Sequence, residues 1–323
     1  PFLSFWYSRF IRSTKERRVF FYMSKRKQRR KRRRKIGLIF LAAVLVFLLL
    51  PNKKSEVFSK GKEEISLGEL YSEAAILLDE EGQILGRKNS EKKIYPASLT
   101  KIMTVLLSIE KLDNIREITV LREEIFPELY AQDASMAGFL PGEKVTYRDL
   151  LYGAMLPSGA ESCVALAEGS CGSEKEFVSE MNKKAKKLVM KNTHFTNTTG
   201  LHDDNHYTTV EDLSRLLCYA MKNQDFSKIF TAFSYSVPAT NKHPEGFTFF
   251  STLSQELQKA GVKDSCILGG KTGYTSNAGL CLATAAEING KKYFFITAHA
   301  QGSHNTEPYH VLDALSVYGK LEK

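Results

Sequence analysis

Ser98 and Lys101 stand three residues apart in the run Tyr95-Pro96-Ala97-Ser98-Leu99-Thr100-Lys101-Ile102, and residues at i and i+3 are neighbours on a helix surface. A serine hydroxyl needs an adjacent base to become a nucleophile. A lysine amine serves as that base only while neutral, a state favoured by burial and by a second cation nearby. The first turn of a helix adds unpaired N–H groups and the positive end of the dipole, which favour an oxyanion forming at Ser98. Alone, such a pair is most often an exposed helix start, so the case for chemistry rests on what accompanies it.

Two further stretches do. Ser158-Gly159-Ala160 follows Met155-Leu156-Pro157 and reads as a turn between helices. Lys271-Thr272-Gly273 follows Gly269-Gly270 and reads as part of a strand, where Gly273 would let the backbone come close to a bound molecule. His194, His202 and His206 are eight and four residues apart in a loop-like stretch with no matching set of carboxylates. They are expected to be hydrogen-bonding loop residues, and no metal or other cofactor is expected. Cys163, Cys171, Cys218, Cys266 and Cys281 form no C-x-x-C pair. They read as small buried hydrophobes, with a single bridge left open, Cys163 to Cys171 included.

The elements that must hold these groups can be read from periodicity. Ile102, Val105, Leu106, Ile109 and Leu112 recur at helical spacing after Ser98 and predict a largely buried helix. Two short strands, Ala74 to Leu78 and Gln83 to Gly86, precede it around Asp79-Glu80-Glu81-Gly82. Thr146-Tyr147-Arg148-Asp149 has the spacing of a capping box and opens a helix through Met155. Further helices are expected over Glu161 to Glu168, Glu174 to Met190 and Val210 to Lys222, with a loop from Asn192 to Tyr207. Leu280 to Glu287 and Lys292 to His299 flank Asn289-Gly290, a strong hairpin signal. Asn305 to Leu321 closes as a helix. The fold expected is α/β (α+β): an antiparallel sheet built from both ends of the domain and flanked by helices, with a mainly helical lobe inserted at about 113–230.

Charge divides the chain. Residues 1–35 hold 15 Lys/Arg and one acid, Glu16, whereas the remaining 288 residues carry 31 basic and 35 acidic side chains. The body therefore lacks the basic footprint of a nucleic-acid binder. Ten Lys/Arg between Lys25 and Lys35 are followed by fifteen uncharged residues, Ile36 to Leu50. That order is the pattern of a secretory signal or signal anchor. The stretch is shorter than the usual span of about 20 residues, but Pro51-Asn52-Lys53-Lys54 offers no small-x-small cleavage site. An uncleaved anchor with an exported body is preferred to a cleaved signal. The expected organisation is a basic cytoplasmic tail (1–35), the anchor (36–50), a polar linker (51–70) and a catalytic domain (71–323); Met23, just before the basic run, is one candidate for the start residue, which the sequence leaves open.

Taken in order, Ser98-x-x-Lys101, Ser158-Gly159-Ala160 and Lys271-Thr272-Gly273 resemble the S-x-x-K, S-x-N and K-T-G signatures of the active-site serine penicillin-recognising enzymes. The flanks are most similar to those of D-alanyl-D-alanine carboxypeptidases. His194-Phe195-Thr196-Asn197, Gly200-Leu201 and Asn205-His206-Tyr207 extend the likeness, which covers roughly residues 70–320. The resemblance implies a serine β-lactamase/transpeptidase-like fold at a bacterial membrane, acting on peptidoglycan stem peptides and acylated by β-lactams. It implies Ser98 as nucleophile, Lys101 as base and Ser158 as proton relay. Lys271 and Thr272 would bind the substrate carboxylate, and the N–H groups of Ser98 and Tyr274 would form the oxyanion hole beside Gly273. One position departs: Ala160 stands where the pattern has asparagine. Two other functions share this fold. A serine β-lactamase would need a deacylating glutamate after the second motif, and none occurs between Met181 and Val210. A catalytically silent wall-binding protein has Ala160 in its favour. The family's second, β-rich domain is not expected, because only some 50 residues follow Lys271.

Overall fold

The structure is a computed structural model, and it describes residues 64–262 and 265–322, which fall in a unit spanning residues 62–323. The basic tail and the apolar stretch at 36–50 lie outside the described residues. Among those described, no helix is long and apolar enough to cross a membrane.

The chain opens with strands β1 (Ser72–Asp79) and β2 (Ile84–Lys88), then a single 3-10 turn at Ala97–Leu99 that runs into helix α1 (Thr100–Lys111). The middle of the chain holds β3 (Ile118–Val120), α2 (Phe126–Ala131), β4 (Lys144–Thr146), α3 (Tyr147–Met155), α4 (Ala160–Cys171), α5 (Glu174–Lys187), α6 (Val210–Ala220) and α7 (Gln224–Phe230). After it come β5 (Ser234–Val237), β6 (Phe247–Phe250), α8 (Thr252–Lys259), β7 (Ile267–Thr275), β8 (Gly279–Ile288), β9 (Lys291–Ala300) and α9 (Tyr309–Leu321).

Five strands pair antiparallel in the order β2-β1-β9-β8-β7, so the sheet is assembled from both ends of the domain. Side chains alternate across a strand, and β1 shows the consequence. Ala74, Ile76 and Leu78 enter one core with α1 and the helical lobe, while Ala75 and Leu77 enter a second core with α8 and α9. The β8–β9 turn places Asn289 at φ 52 and Gly290 at φ 73, the left-handed pair that a two-residue hairpin requires. Helix α1 is buried continuously from Thr100 to Ser108. A helix enclosed on every side is a rigid mount, and Lys101 is on it.

Capping follows the expected chemistry. Asp149 N–H donates to Thr146 Oγ1 at 3.1 Å and Thr146 N–H to Asp149 Oδ2 at 2.9 Å, closing a reciprocal capping box on α3. Thr209 caps α6 without the reciprocal bond, its Oγ1 accepting from Asp212 N–H at 3.0 Å.

Several boundaries differ from the expectation. The folded body reaches into the presumed linker: Ile65 N–H donates to Leu85 O at 2.6 Å, and Leu67 is buried in the second core. Polar neighbours hid these two apolar anchors. Helix α5 stops at Lys187 rather than Met190, because Val189 turns left-handed at φ 59 and Met190 N–H folds back to Ala185 O. No glycine announces that stop. The lobe contains the β3–β4 ribbon. The β5–β6 ribbon, α7 and α8 had no expectation, since their apolar runs are too short to show a period.

Candidate active site

Ser98 occupies the middle of the 3-10 turn, with Leu99 N–H bonded back to Pro96 O at 3.1 Å and Ala97 held at φ 46. Leu99 is fully buried and fixes the turn, leaving Ser98 half-exposed. One turn on, Lys101 Nζ donates to Ser98 Oγ at 3.0 Å and to Thr199 O at 2.6 Å. From the opposite wall, Ser158 Oγ donates to Ser98 Oγ at 2.9 Å. Ser158 sits at φ 69 in the connection between α3 and α4. Its neighbours hold that strained conformation: Gly159 N–H bonds Gly153 O at 2.8 Å and Ala160 N–H bonds Ser135 O at 2.7 Å. The first two motifs thus converge on one oxygen.

The third motif lies on β7. Lys271 has no exposed surface, and its Nζ donates to Thr272 O at 2.8 Å. Burial pushes the amines of Lys101 and Lys271 below the usual lysine range. The charge of Lys101 lowers Lys271 further, whereas the Glu161 carboxylate pulls Lys101 the other way. Two ammonium charges cannot both be carried cheaply in so enclosed a place. The backbone at Gly273 passes directly over the nucleophile: a Cβ there would stand 3.1 Å from Ser98 N and 3.3 Å from Leu99 N. Tyr274 pairs with Leu280 across to β8 and sets its ring edge-on to His304, 4.7 Å between centroids.

At the departing position, Ala160 is a buried methyl at the first residue of α4. The following Glu161 is fully buried and engaged elsewhere. Its Oε1 accepts from the N–H groups of Ala137, Gly138 and Phe139 at 2.7, 3.0 and 3.3 Å. It ties the 135–139 segment to α4 and has no hydrogen bond to Ser98, Lys101 or Ser158.

The loop after α5, whose Asn197, Gly200 and His206 carried part of the resemblance, also supplies Thr199, which motif reading missed. Thr199 contributes the carbonyl that holds Lys101. Asn197 shapes the turn by accepting from Gly200 N–H at 2.7 Å and donating to Leu201 O at 2.9 Å. Gly200, at φ 83, lies so close to the nucleophile's turn that a Cβ would come within 1.9 Å of Ala97 O. His206 receives Thr196 N–H on Nδ1 at 3.1 Å and faces Thr100 Oγ1 through Nε2 at 2.8 Å. Nδ1 is therefore the unprotonated nitrogen, and burial lowers the imidazole to about 4. His194 binds Asn205 O and His202 meets Asn277, so the three histidines go to separate hydrogen bonds. The five cysteines are free thiols. Across the cleft, Thr252 Oγ1 lies 2.6 Å from Thr272 Oγ1. The sequence signal for Thr252 was absent, since it opens a helix that periodicity did not reveal.

Comparison with known proteins places this arrangement. Residues 60–301 match the Peptidase S11 family, described as D-alanyl-D-alanine carboxypeptidase. The chain is 35% identical over 253 residues to the D-alanyl-D-alanine carboxypeptidase DacF of Bacillus subtilis (strain 168), covering 76% of this chain and 62% of that one. It is 33% identical over 221 residues to the D-alanyl-D-alanine carboxypeptidase of Streptomyces sp. (strain K15), covering 65% of this chain and 74% of that one. The crystal structure of the Streptomyces K15 DD-transpeptidase superposes with a TM-score of 0.71 at 27% identity, over 78% of this chain and 97% of that one. The chain thus spans less than two thirds of the length of the Bacillus relative.

Proposed function

The chain belongs to the D-alanyl-D-alanine carboxypeptidase family, and we propose that it removes the terminal D-alanine from peptidoglycan stem peptides through an acyl-enzyme on Ser98. The observation that carries this reading is the position of Ser98 Oγ, within hydrogen-bond reach of both Lys101 Nζ and Ser158 Oγ. Neutral Lys101 takes the Ser98 proton as the oxygen bonds to the carbonyl carbon of the penultimate D-alanine. The N–H groups of Ser98 and Tyr274 receive the oxyanion, and preorganised donors of that kind lower a barrier by about 3 kcal/mol each. As the C–N bond breaks, Ser158 relays the proton to the leaving amine. Lys271 and Thr272 hold the departing residue's carboxylate, whose negative charge favours protonation of Lys271 and leaves Lys101 as the neutral member of the pair. Water then splits the ester, returning Ser98 and a shortened stem peptide. A β-lactam acylates Ser98 by the same route and leaves slowly.

The apolar stretch after the basic run supports a membrane anchor at 36–50, with the catalytic domain outside the cytoplasm. Recovery of the chain in the soluble fraction of its cells without processing would remove that part of the reading.

Mass spectrometry of the protein after penicillin, with the adduct mapped, and assay of D-alanine release test the activity. The expected result is an adduct on Ser98 and release of D-alanine, both lost in S98A. Adding an amine acceptor measures how the acyl-enzyme divides between water and transpeptidation. Rapid turnover of a chromogenic cephalosporin would favour a β-lactamase instead. Stem-peptide binding without any acyl-enzyme would favour a silent wall-binding protein.

A further inference from the structure

The mechanism above leaves Thr252 unused, although its hydroxyl is 2.6 Å from that of Thr272. Neither hydroxyl has another hydrogen-bond partner among the described residues. Both side chains are half-buried, beside the enclosed Lys271.

The backbone holds Thr252 at this place from three directions. Ser251 N–H donates to Phe233 O at 2.8 Å, and Thr252 N–H donates to Leu156 O at 3.1 Å. Ser251 Oγ caps α8 by accepting from Leu253 N–H at 3.2 Å, while Leu253 is fully buried in the second core. Leu156 is two residues before Ser158. Thr252 is thus tied by its backbone to the segment carrying Ser158 and by its side chain to the strand carrying Lys271. It spans the two walls of the cleft.

Each hydroxyl has one hydrogen to give. At 2.6 Å one of the two must be the donor, so the pair has a single hydrogen left to offer outward. For Thr272 to donate to a substrate carboxylate, Thr252 must donate to Thr272. The reverse order turns the Thr272 hydrogen onto Thr252 and away from the ligand. A hydroxyl that accepts one hydrogen bond is also polarised into a better donor.

We propose that Thr252 is a positioning residue for carboxylate recognition: its hydroxyl donates to Thr272 and so aims the Thr272 hydrogen at the terminal carboxylate of the substrate. This rests on the functional reading above. The effect is confined to one stage of the reaction. The carboxylate belongs to the terminal D-alanine, which leaves when the acyl-enzyme forms. Hydrolysis of the peptide acyl-enzyme therefore cannot sense Thr252, whereas acylation must.

The test compares the full chain with T252V and T252S on a D-alanyl-D-alanine peptide, separating acylation from acyl-enzyme hydrolysis by burst and single-turnover kinetics. T252V is expected to lower kcat/KM for acylation about three- to tenfold, the scale of a weakened hydrogen bond to a charged group. Hydrolysis of the acyl-enzyme should stay within about twofold, the ceiling set by the argument that the carboxylate has by then departed. T252S, which keeps the hydroxyl, should match the unaltered chain. In a T272V background, T252V should have little further effect, as expected for residues acting as a unit. Acylation unchanged in T252V, both steps falling equally, or T252S as poor as T252V would each overturn the inference. If the unaltered chain released no D-alanine and took no penicillin, the functional reading would fail and this inference with it. If it released D-alanine while T252V behaved identically, only the inference would fail.

Discussion

Ser158 Oγ donates to Ser98 Oγ at 2.9 Å across 60 residues of chain, and it does so from a backbone at φ 69. A non-glycine residue in the left-handed region costs of order 1–3 kcal/mol and persists only where its surroundings impose it. Here the strain holds one hydroxyl against another. In the proposed reaction Ser158 carries the proton to the leaving amine, a role general acid catalysis makes worth about a hundredfold or more. S158A should therefore fold as the unaltered chain does, since the substitution removes no core contact, yet acylate at least about a hundredfold more slowly. Stopped-flow acylation with a fluorescent penicillin reads this directly. Acylation within tenfold of the unaltered chain would assign the relay to another group.

Gly200 offers a sharper test of how the nucleophile is held. It combines φ 83 with an approach that would bring a Cβ within 1.9 Å of Ala97 O, and the obstacle is backbone rather than a side chain that can swing away. G200A has to push apart the Asn197–Leu201 turn and the turn bearing Ser98. The expected cost is about 3 kcal/mol or more, from left-handed strain and overpacking together. Because the Thr199 carbonyl that holds Lys101 is next to Gly200, acylation should fall with stability. Thermal denaturation and penicillin labelling check both. A variant with unchanged Tm and full labelling would mean that the loop yields without disturbing Ser98.

The parts legible in the sequence were those with a local signature. The capping box at Thr146 and Asp149, the Asn289-Gly290 hairpin and the helical spacing of the apolar residues of α1 depend on residues a few positions apart, and spacing displays them. The convergence of Ser98, Lys101 and Ser158 was legible because their motifs carry chemistry in their residue types. Thr199, Thr252 and the tight approach made at Gly200 were not. Thr199 acts through a backbone carbonyl, which any residue possesses. Gly200 matters because of what lies opposite it, 103 positions from Ala97 in the chain. Thr252 meets Thr272 only because α8 folds under β7, a tertiary event that eight residues of helix do not announce. Ala160 was legible as a departure, and its consequence is a buried methyl rather than a substitute amide.

Lys101 makes the pH dependence of acylation predictable in sign. Burial holds its amine below the ordinary 10.5, and only the neutral form accepts the Ser98 proton. The second-order acylation rate should therefore rise with pH through a limb whose midpoint lies below 10.5. K101R should abolish acylation, because a guanidinium stays charged throughout. The same displacement affects stability. With the folded pKa of Lys101 and Lys271 below the unfolded value, the unfolded chain binds more protons in that interval. Their contribution to stability then grows as pH rises from the folded pKa toward 10.5. Chemical denaturation at stepped pH, compared with a K271M variant, isolates the Lys271 part of that contribution. A flat difference between the two chains across the alkaline range would contradict it.

His206 carries the opposite end of the pH scale. It is buried beside the nucleophile's helix, accepts Thr196 N–H on Nδ1 and meets Thr100 Oγ1 through Nε2. Burial lowers it to about 4, with Asp203 partly opposing and His194, His202 and Lys101 adding to the shift. Protonating Nδ1 would remove the acceptor that Thr196 uses and place a charge in an enclosed site. Since the folded value lies below the ordinary 6.5, the unfolded chain binds the extra proton first as pH falls. Stability should then decline from pH 6.5 downward, levelling near 4, by a total of about 3 kcal/mol from this group. H206N keeps an acceptor for Thr196 but cannot titrate, and it gives up the Thr100 contact at a cost of about 1 kcal/mol at neutral pH. Carboxylates that titrate in the same interval are common to both chains, so the difference between their urea-unfolding curves reports His206 alone. The gap should close as pH falls and reverse by pH 4. A gap that stays constant from pH 7 to 4 would show that folding leaves the His206 pKa at its ordinary value, its charge being tolerated in the folded protein.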